Sequence, residues 1–268
     1  MNIGAHLSIA GGIQNAALKA KEKNLGSLQI FTGSPRGWQT GNISPKQTTE
    51  FRKICKEGRI NPVFIHAKYL TNPGSSNKEL QEKSILSLIS DLKVARKIGA
   101  LGVIFHPKLE NGDVLLRNTE VILRNSPKNT QLILENSAQM NMKDLGMILK
   151  TINSKRLAFC LDTAHTFESG YNLNNEKALK EFFLLIEKSV GLKKLVVIHS
   201  NNSKTASGSK HDVHADLESG LIKKEVFEFL VNNPKTKNIP FILETPSLKD
   251  KGWAKTEGNI NFLRSLEV

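Results

Sequence analysis

Seven of the chain's eight short apolar runs end in a histidine, an aspartate or a glutamate: NIGAH (His6), PVFIH (His66), GVIFH (His106), LILE (Glu135), AFCLD (Asp162), LVVIH (His199) and FILE (Glu244). Imidazoles and carboxylates are the side chains that bind divalent metals and move protons. A lone histidine is more often structural than a ligand, but this recurrence reverses that expectation. All seven histidines (His6, His66, His106, His165, His199, His211 and His214) fall at strand ends or in the loops just beyond, none in a clear helix. Neutral imidazoles packed against carboxylates without cations leave buried charge unpaired, and divalent metal resolves the conflict. Mixed nitrogen and oxygen donors suit zinc or a similar first-row ion better than magnesium or calcium. Two spacings sharpen the reading. Asp162 and His165 leave the sixth strand together and enter a loop, so they can face neighbouring metals. Asp212 and His214, in a Gly/Ser-rich loop, share a side if that backbone is extended.

Such groups meet only if the elements before them converge. Between the apolar runs lie helix-compatible stretches, for example NAALKAKEK, a segment through Phe51 and Cys55, and Lys78 to Ile98. In the last, Leu80, Ile85, Leu88, Ile89, Leu92 and Ala95 recur at helical spacing. Strand–helix alternation implies parallel strands with right-handed crossovers. Eight strands in 268 residues predict a single (β/α)8 TIM barrel spanning 1–268, a fold of about 250 residues with its site at the strand C-termini.

Composition narrows the class without naming a function. With 39% hydrophobic and 24% charged residues the chain reads as an ordinary globule. No apolar run approaches the roughly 20 residues of a membrane span, and MNIGAHLS does not read as a signal peptide. Cys55 and Cys160 fall in a helix and a buried strand, consistent with a reducing, cytoplasmic setting. The net charge of +13 fits a field that attracts nucleic acid. It fits equally a surface of lysines that solvate helices, and composition leaves both open.

The motifs GAHLSIAGG, HAKYLTN, FHP, ILENSA, CLDTAHTFESGYN, GSKHDVH and ILET, in that order from Ile3 to Thr245, resemble the endonuclease IV family of zinc-dependent apurinic/apyrimidinic endonucleases. The resemblance implies His66, His106 and Glu135 on a first zinc. It implies that Glu135 bridges to a second zinc, which also takes Asp162, His199 and Glu244. His165, Asp212 and His214 would hold a third, and every ligand position is filled. It further implies hydrolysis of the phosphodiester 5′ of an abasic site by hydroxide made available on zinc, with Glu135 and Glu244 as catalytic carboxylates. The products would be a 3′-hydroxyl and a 5′-deoxyribose phosphate. Double-stranded DNA with abasic sites is the implied partner of a cytoplasmic monomer, associated with the nucleoid in a bacterium, and no organic cofactor is needed. Two other readings stand beside this one: a damaged-DNA binder without catalysis, and a two-metal sugar isomerase on the same barrel.

Opening a duplex calls for wedges and stacking groups. Arg36 and Trp38 after the second strand, and Tyr69 and Leu70 after the third, are suited to it. On residues alone they serve equally well as barrel rim; the resemblance makes them DNA contacts, with Lys204 and Lys210 as phosphate contacts. The chain departs from the family at Gly37, Asn202, Ala215, Glu218 and the glycine-poor ENSAQM, none of them a ligand. Asn202 stands where aspartate is common, which would remove a negative charge near the metals; together the departures imply retained activity with altered lesion preference. His6 lies near the site without being a ligand.

Overall fold

The computed structural model describes residues 1–249 and 253–268. Its strands are β1 (Ile3–Leu7), β2 (Ser27–Ile30), β3 (Val63–His66), β4 (Gly102–Phe105), β5 (Gln131–Glu135), β6 (Leu157–Asp162), β7 (Leu195–His199), β8 (Asn202–Ser203), β9 (His214–Ala215) and β10 (Phe241–Leu243). Eight of them close into a parallel barrel in the order β1-β10-β7-β6-β5-β4-β3-β2, while β8 and β9 form a separate antiparallel pair. The intervening helices are α1 (Ile13–Glu22), α2 (Pro45–Glu57), α3 (Lys78–Ile98), α4 (Gly112–Arg124), α5 (Met142–Ile152), α6 (Thr163–Glu168), α7 (Glu176–Ser189), α8 (Lys224–Asn232) and α9 (Ala254–Ser265). Parallel strands covered on both faces read as unbroken apolar runs, and every residue of β6, LAFCLD, is buried. Among the described residues no helix is long and apolar enough to cross a membrane.

Local chemistry sets the helix boundaries. Ser44 and Gln47 form a reciprocal capping box ahead of Pro45, which starts α2. Asn77 caps α3 through Leu80 N, and Gly99 ends that helix in the left-handed region at φ 78°.

Two compact units emerge from the packing. One comprises 6–135 with 148–158. Within it β3, β4 and β5 align His66 with Ile104, and Phe105 with Leu134. Alternation along a strand then points His106 and Glu135 to the same side as His66, one pleat further on. A side chain at Gly102 would put Cβ 2.2 Å from the Gln131 carbonyl oxygen, so glycine permits this close β4–β5 approach. The other unit comprises 1–5, 136–147 and 159–268. There Asp162 is level with His199, and His199 with Ile242, so Glu244 follows two residues later on the same side.

Candidate metal centre

In the first unit a single carboxylate oxygen, Glu135 Oε2, lies 3.3 Å from Nε2 of His66 and 3.3 Å from Nε2 of His106. Glu135 is fully buried and His66 nearly so, while His106 keeps a quarter of its side chain exposed. His66 Nδ1 sits 2.7 Å from the Ala67 carbonyl. A carbonyl only accepts, so Nδ1 carries the proton, and in the neutral ring the Nε2 lone pair faces the Glu135 carboxylate. Two acceptors aimed at one another call for a cation between them. An imidazole whose far N–H is held by a carbonyl is the usual arrangement of a metal ligand.

A second group repeats the logic in the other unit. His165 Nδ1 donates to the Asn136 carbonyl at 3.1 Å, leaving Nε2 as the lone-pair end. That Nε2 is 3.3 Å from Asp212 Oδ2 and 3.3 Å from His214 Nε2, and His214 Nε2 is 3.3 Å from Asp212 Oδ1. His165 is buried and Asp212 largely exposed at 61%, so this group sits where the interior opens to solvent. Nearby, His199 Nδ1 is 3.2 Å from Glu244 Oε2 and 3.9 Å from Asp162 Oδ2. Ligand atoms of Asp162, His165 and His214 lie within 4.8 Å of one another, as do those of His66, His106 and Glu135. The donor chemistry of both groups, neutral imidazole nitrogen with carboxylate oxygen, fits zinc.

Two corrections concern how these side chains are delivered. Asp162 to His165 does not run into a loop: it opens α6, and His165 is helical. Asp162 Oδ1 caps the helix by accepting from His165 N at 2.8 Å, and helix spacing then sets the two side chains on one face. His214 likewise lies on β9, paired with Ser203 of β8, rather than in a free loop. Asp212 lies outside β9, and its Oδ1 still reaches within 3.3 Å of His214 Nε2.

Polar residues outside the expected set hold the ligands. Asn201 Nδ2 donates to Asp162 Oδ2 at 2.6 Å, and its Oδ1 accepts from Glu244 N at 2.9 Å, so one amide fixes two acidic strand ends. Asn136 Oδ1 accepts from Asp162 N at 2.7 Å. A buried glutamate, Glu168, joins His165 and Asp212, with ligand atoms of all three within 4.8 Å of one another. Its position three residues after His165 would have flagged it had α6 been read as a helix.

Asn202 does not occupy the metal groups. Its Nδ2 donates to the carbonyls of Leu217 (2.6 Å) and Ile222 (2.9 Å), and its Oδ1 accepts from Ser203 N and Ile222 N. Gly220 packs so tightly on it that a Cβ there would come within 2.2 Å of the amide. This asparagine staples a loop, so its amide serves the folding of that loop.

The residues expected to meet DNA divide. Tyr69 is 58% exposed and Leu70 38%. The Tyr69 ring stands edge-on to Phe31 and His66, with centroids 5.5 and 6.1 Å apart, and Tyr69 N donates to the Pro35 carbonyl. That bond ties it to the loop carrying exposed Arg36. Trp38 instead lines a groove of about 450 Å³ with Leu86 and Ser90 of α3. Lys204 is exposed, and Lys210 Nζ donates to the Ser169 carbonyl at 2.6 Å. His6 pairs with Gln29 at 2.9 Å beside His66. His211 is exposed on the loop before β9.

The barrel and the strand-end donors define a class, the xylose isomerase-like TIM barrel, whose family model matches residues 18–266. Relatives place the chain more finely. A protein named "Probable endonuclease 4" from Halothermothrix orenii is 35% identical over 98% of this chain and 99% of its own. Its counterpart from Aquifex aeolicus is 34% identical over 91% of each. The crystal structure of endonuclease IV from Thermus thermophilus matches with TM-score 0.90 and 32% identity over 99% of this chain and 98% of that one. The chain belongs to the endonuclease IV family. A D-tagatose 3-epimerase-like protein, with TM-score 0.70 at 17% identity, shares the fold alone.

Proposed function

We propose that this protein is a zinc-dependent DNA repair endonuclease that hydrolyses the phosphodiester 5′ of an abasic site, leaving a 3′-hydroxyl and a 5′-deoxyribose phosphate. The observation that carries the reading is the facing of imidazole lone pairs and carboxylates, at 3.3 Å, in two separate groups of a family member. His66, His106 and Glu135 would hold one zinc. Asp162, His199 and Glu244 would hold another, and His165, Asp212 and His214 a third. When bound, the ions supply positive charge to the phosphate and make water a competent nucleophile near neutral pH.

The remaining work falls to the chain. Glu135, fully buried and flanked by two imidazoles, presents a fixed carboxylate oxygen beside His66 and His106. Glu244, whose side chain is 15% exposed and whose backbone N–H is anchored on Asn201, takes the proton of the attacking water at its carboxylate. Extrusion of an abasic nucleotide costs least because its pairing is already lost. Exposed Tyr69, Leu70 and Arg36 enter the opened step, and Lys204 and Lys210 approach phosphates. Trp38, seated against α3, contributes to the same DNA-facing surface through its loop. The protein acts as a single-domain monomer in the cytoplasm.

Nicking of a duplex bearing one stable abasic analogue, with elemental analysis of the same preparation, tests the reading. Zinc-dependent 5′ incision is expected, and Glu135→Gln should abolish incision while binding to the abasic duplex persists. Aldose–ketose conversion without DNA affinity, or normal cleavage by Glu135→Gln, would overturn it.

A further inference from the structure

Glu168 is a carboxylate with no solvent: its relative exposure is 0%. One oxygen is committed, since Oε1 accepts from Ser203 Oγ at 2.7 Å and from Val213 N at 3.1 Å. The other oxygen, Oε2, is buried and has no hydrogen-bond partner among the described residues. Leaving an acceptor of a buried carboxylate unmet is costly. The residue also closes the C-terminal end of α6, where the helix dipole disfavours negative charge. The hydrogen bonds it accepts all fall on Oε1 and leave Oε2 unmet. What it does face is His165 and Asp212, whose ligand atoms lie with its own inside a 4.8 Å group.

We propose that Glu168 is an additional protein ligand of the divalent cation held by His165, Asp212 and His214. The inference rests on the multi-metal reading above and concerns this one position in it. His165 and Glu168 stand three residues apart on α6, so helix geometry brings Glu168 to the face that carries His165. Its Oε1 bonds to Ser203 and Val213 also grip the two ends of the loop that presents Asp212. The same side chain therefore sets the loop and leaves a buried carboxylate oxygen unmet beside His165 and Asp212. Glu168 would add a second carboxylate beside His165 and Asp212, giving a mixed nitrogen and oxygen donor set of the kind zinc takes. It would also bring a further negative charge to that position. The cation there should be retained more tightly than three ligands would allow.

Zinc content and affinity, measured on the full chain by competition with a graded chelator, test this without reference to cleavage. The wild-type protein should hold three zinc equivalents. Glu168→Gln should release one of them at least about 10-fold more readily. Cobalt(II) loaded in place of zinc should change its visible spectrum in the same variant. Ser203→Ala is the comparison, because it loosens the loop contact but leaves Oε2 in place, and it should retain the third equivalent. Loss of metal in both variants alike would reduce Glu168 to a residue that positions the loop, and the proposal would fall. Three equivalents with unchanged affinity and cobalt spectrum in Glu168→Gln would sink it as well, while the parent reading stood. A wild-type chain that binds no zinc would instead overturn the parent reading.

Discussion

Replacing Lys68 by methionine probes how the loop beside His66 is held. Lys68 and Asp91 are both fully buried, with Nζ 2.8 Å from Oδ1 and 3.1 Å from Oδ2. Thr32 closes the pair: its hydroxyl accepts from Lys68 Nζ at 3.1 Å and donates to Asp91 Oδ1 at 2.6 Å. The Lys68 carbonyl in turn accepts from the Thr71 hydroxyl, so the pair anchors the segment from which Tyr69 and Leu70 project. Burial pushes the Asp91 carboxyl above its ordinary value, and Lys68, then the threonine hydroxyls, pull it back. Lys68→Met removes the largest of those opposing influences and strands a buried carboxylate. Breaking one side of such a pair costs roughly 3–5 kcal/mol, a large share of a total stability of about 5–15 kcal/mol. Because neither group touches solvent, screening does not discount that figure.

The pH dependence has a definite direction. A carboxyl whose folded pKa exceeds its unfolded one binds more protons when folded, so stability falls as pH rises between the two values. Without Lys68 that window extends upward from the ordinary carboxylate range. The Lys68→Met penalty, read as the difference from wild type in urea unfolding at each pH, should therefore be largest near neutrality and shrink below about pH 4. Adding Asp91→Asn should recover most of the loss and flatten the difference. A Lys68→Met protein within about 0.5 kcal/mol of wild type at pH 7, the range of innocuous surface changes, would refute the reasoning. So would a penalty that did not change on acidification.

Two further predictions rest on single side chains. Cys55 is buried and its thiol is pushed up to about 12 by burial, so it stays protonated and inert to alkylating reagents at pH 8. Thiol titration should find it unreactive in the native protein and reactive in denaturant. Asn202→Asp should lower stability by about 1–3 kcal/mol, because a carboxylate oxygen would face the Leu217 and Ile222 carbonyls that the amide now satisfies. Thermal melts would show it, and an unchanged melting temperature would argue that the loop accommodates the carboxylate.

The barrel was legible because its strands are buried on both faces and all but one of the apolar runs end on a residue of another chemical kind. The α3 boundaries were legible for a related reason: Lys78–Ile98 is long enough for its apolar spacing to repeat over several turns. What escaped was short or non-local. Helix α6 has six residues, too few for a period to show. The β8–β9 pair has two residues a side and joins positions 202–203 to 214–215. Lys68 and Asp91 lie 23 residues apart, and nothing local in either segment announces the other.

Asp162 shows why the site was easier to read than its scaffold. Its Oδ1 accepts from His165 N and so turns strand β6 into α6, while its Oδ2 accepts from Asn201 and lies 3.9 Å from both His199 and His214. In the sequence an aspartate three residues before a histidine could be a ligand or a helix cap, and the ligand reading conceals the cap. In the structure the two oxygens divide the roles. The turn they make sets the direction in which His165 and Glu168 leave the strand, so the fold at this point is decided by a residue whose composition-level signature is that of a metal site. Replacing Asp162 would therefore remove a donor and the start of α6 together, whereas Glu168 can be changed at its spare oxygen without removing the helix cap.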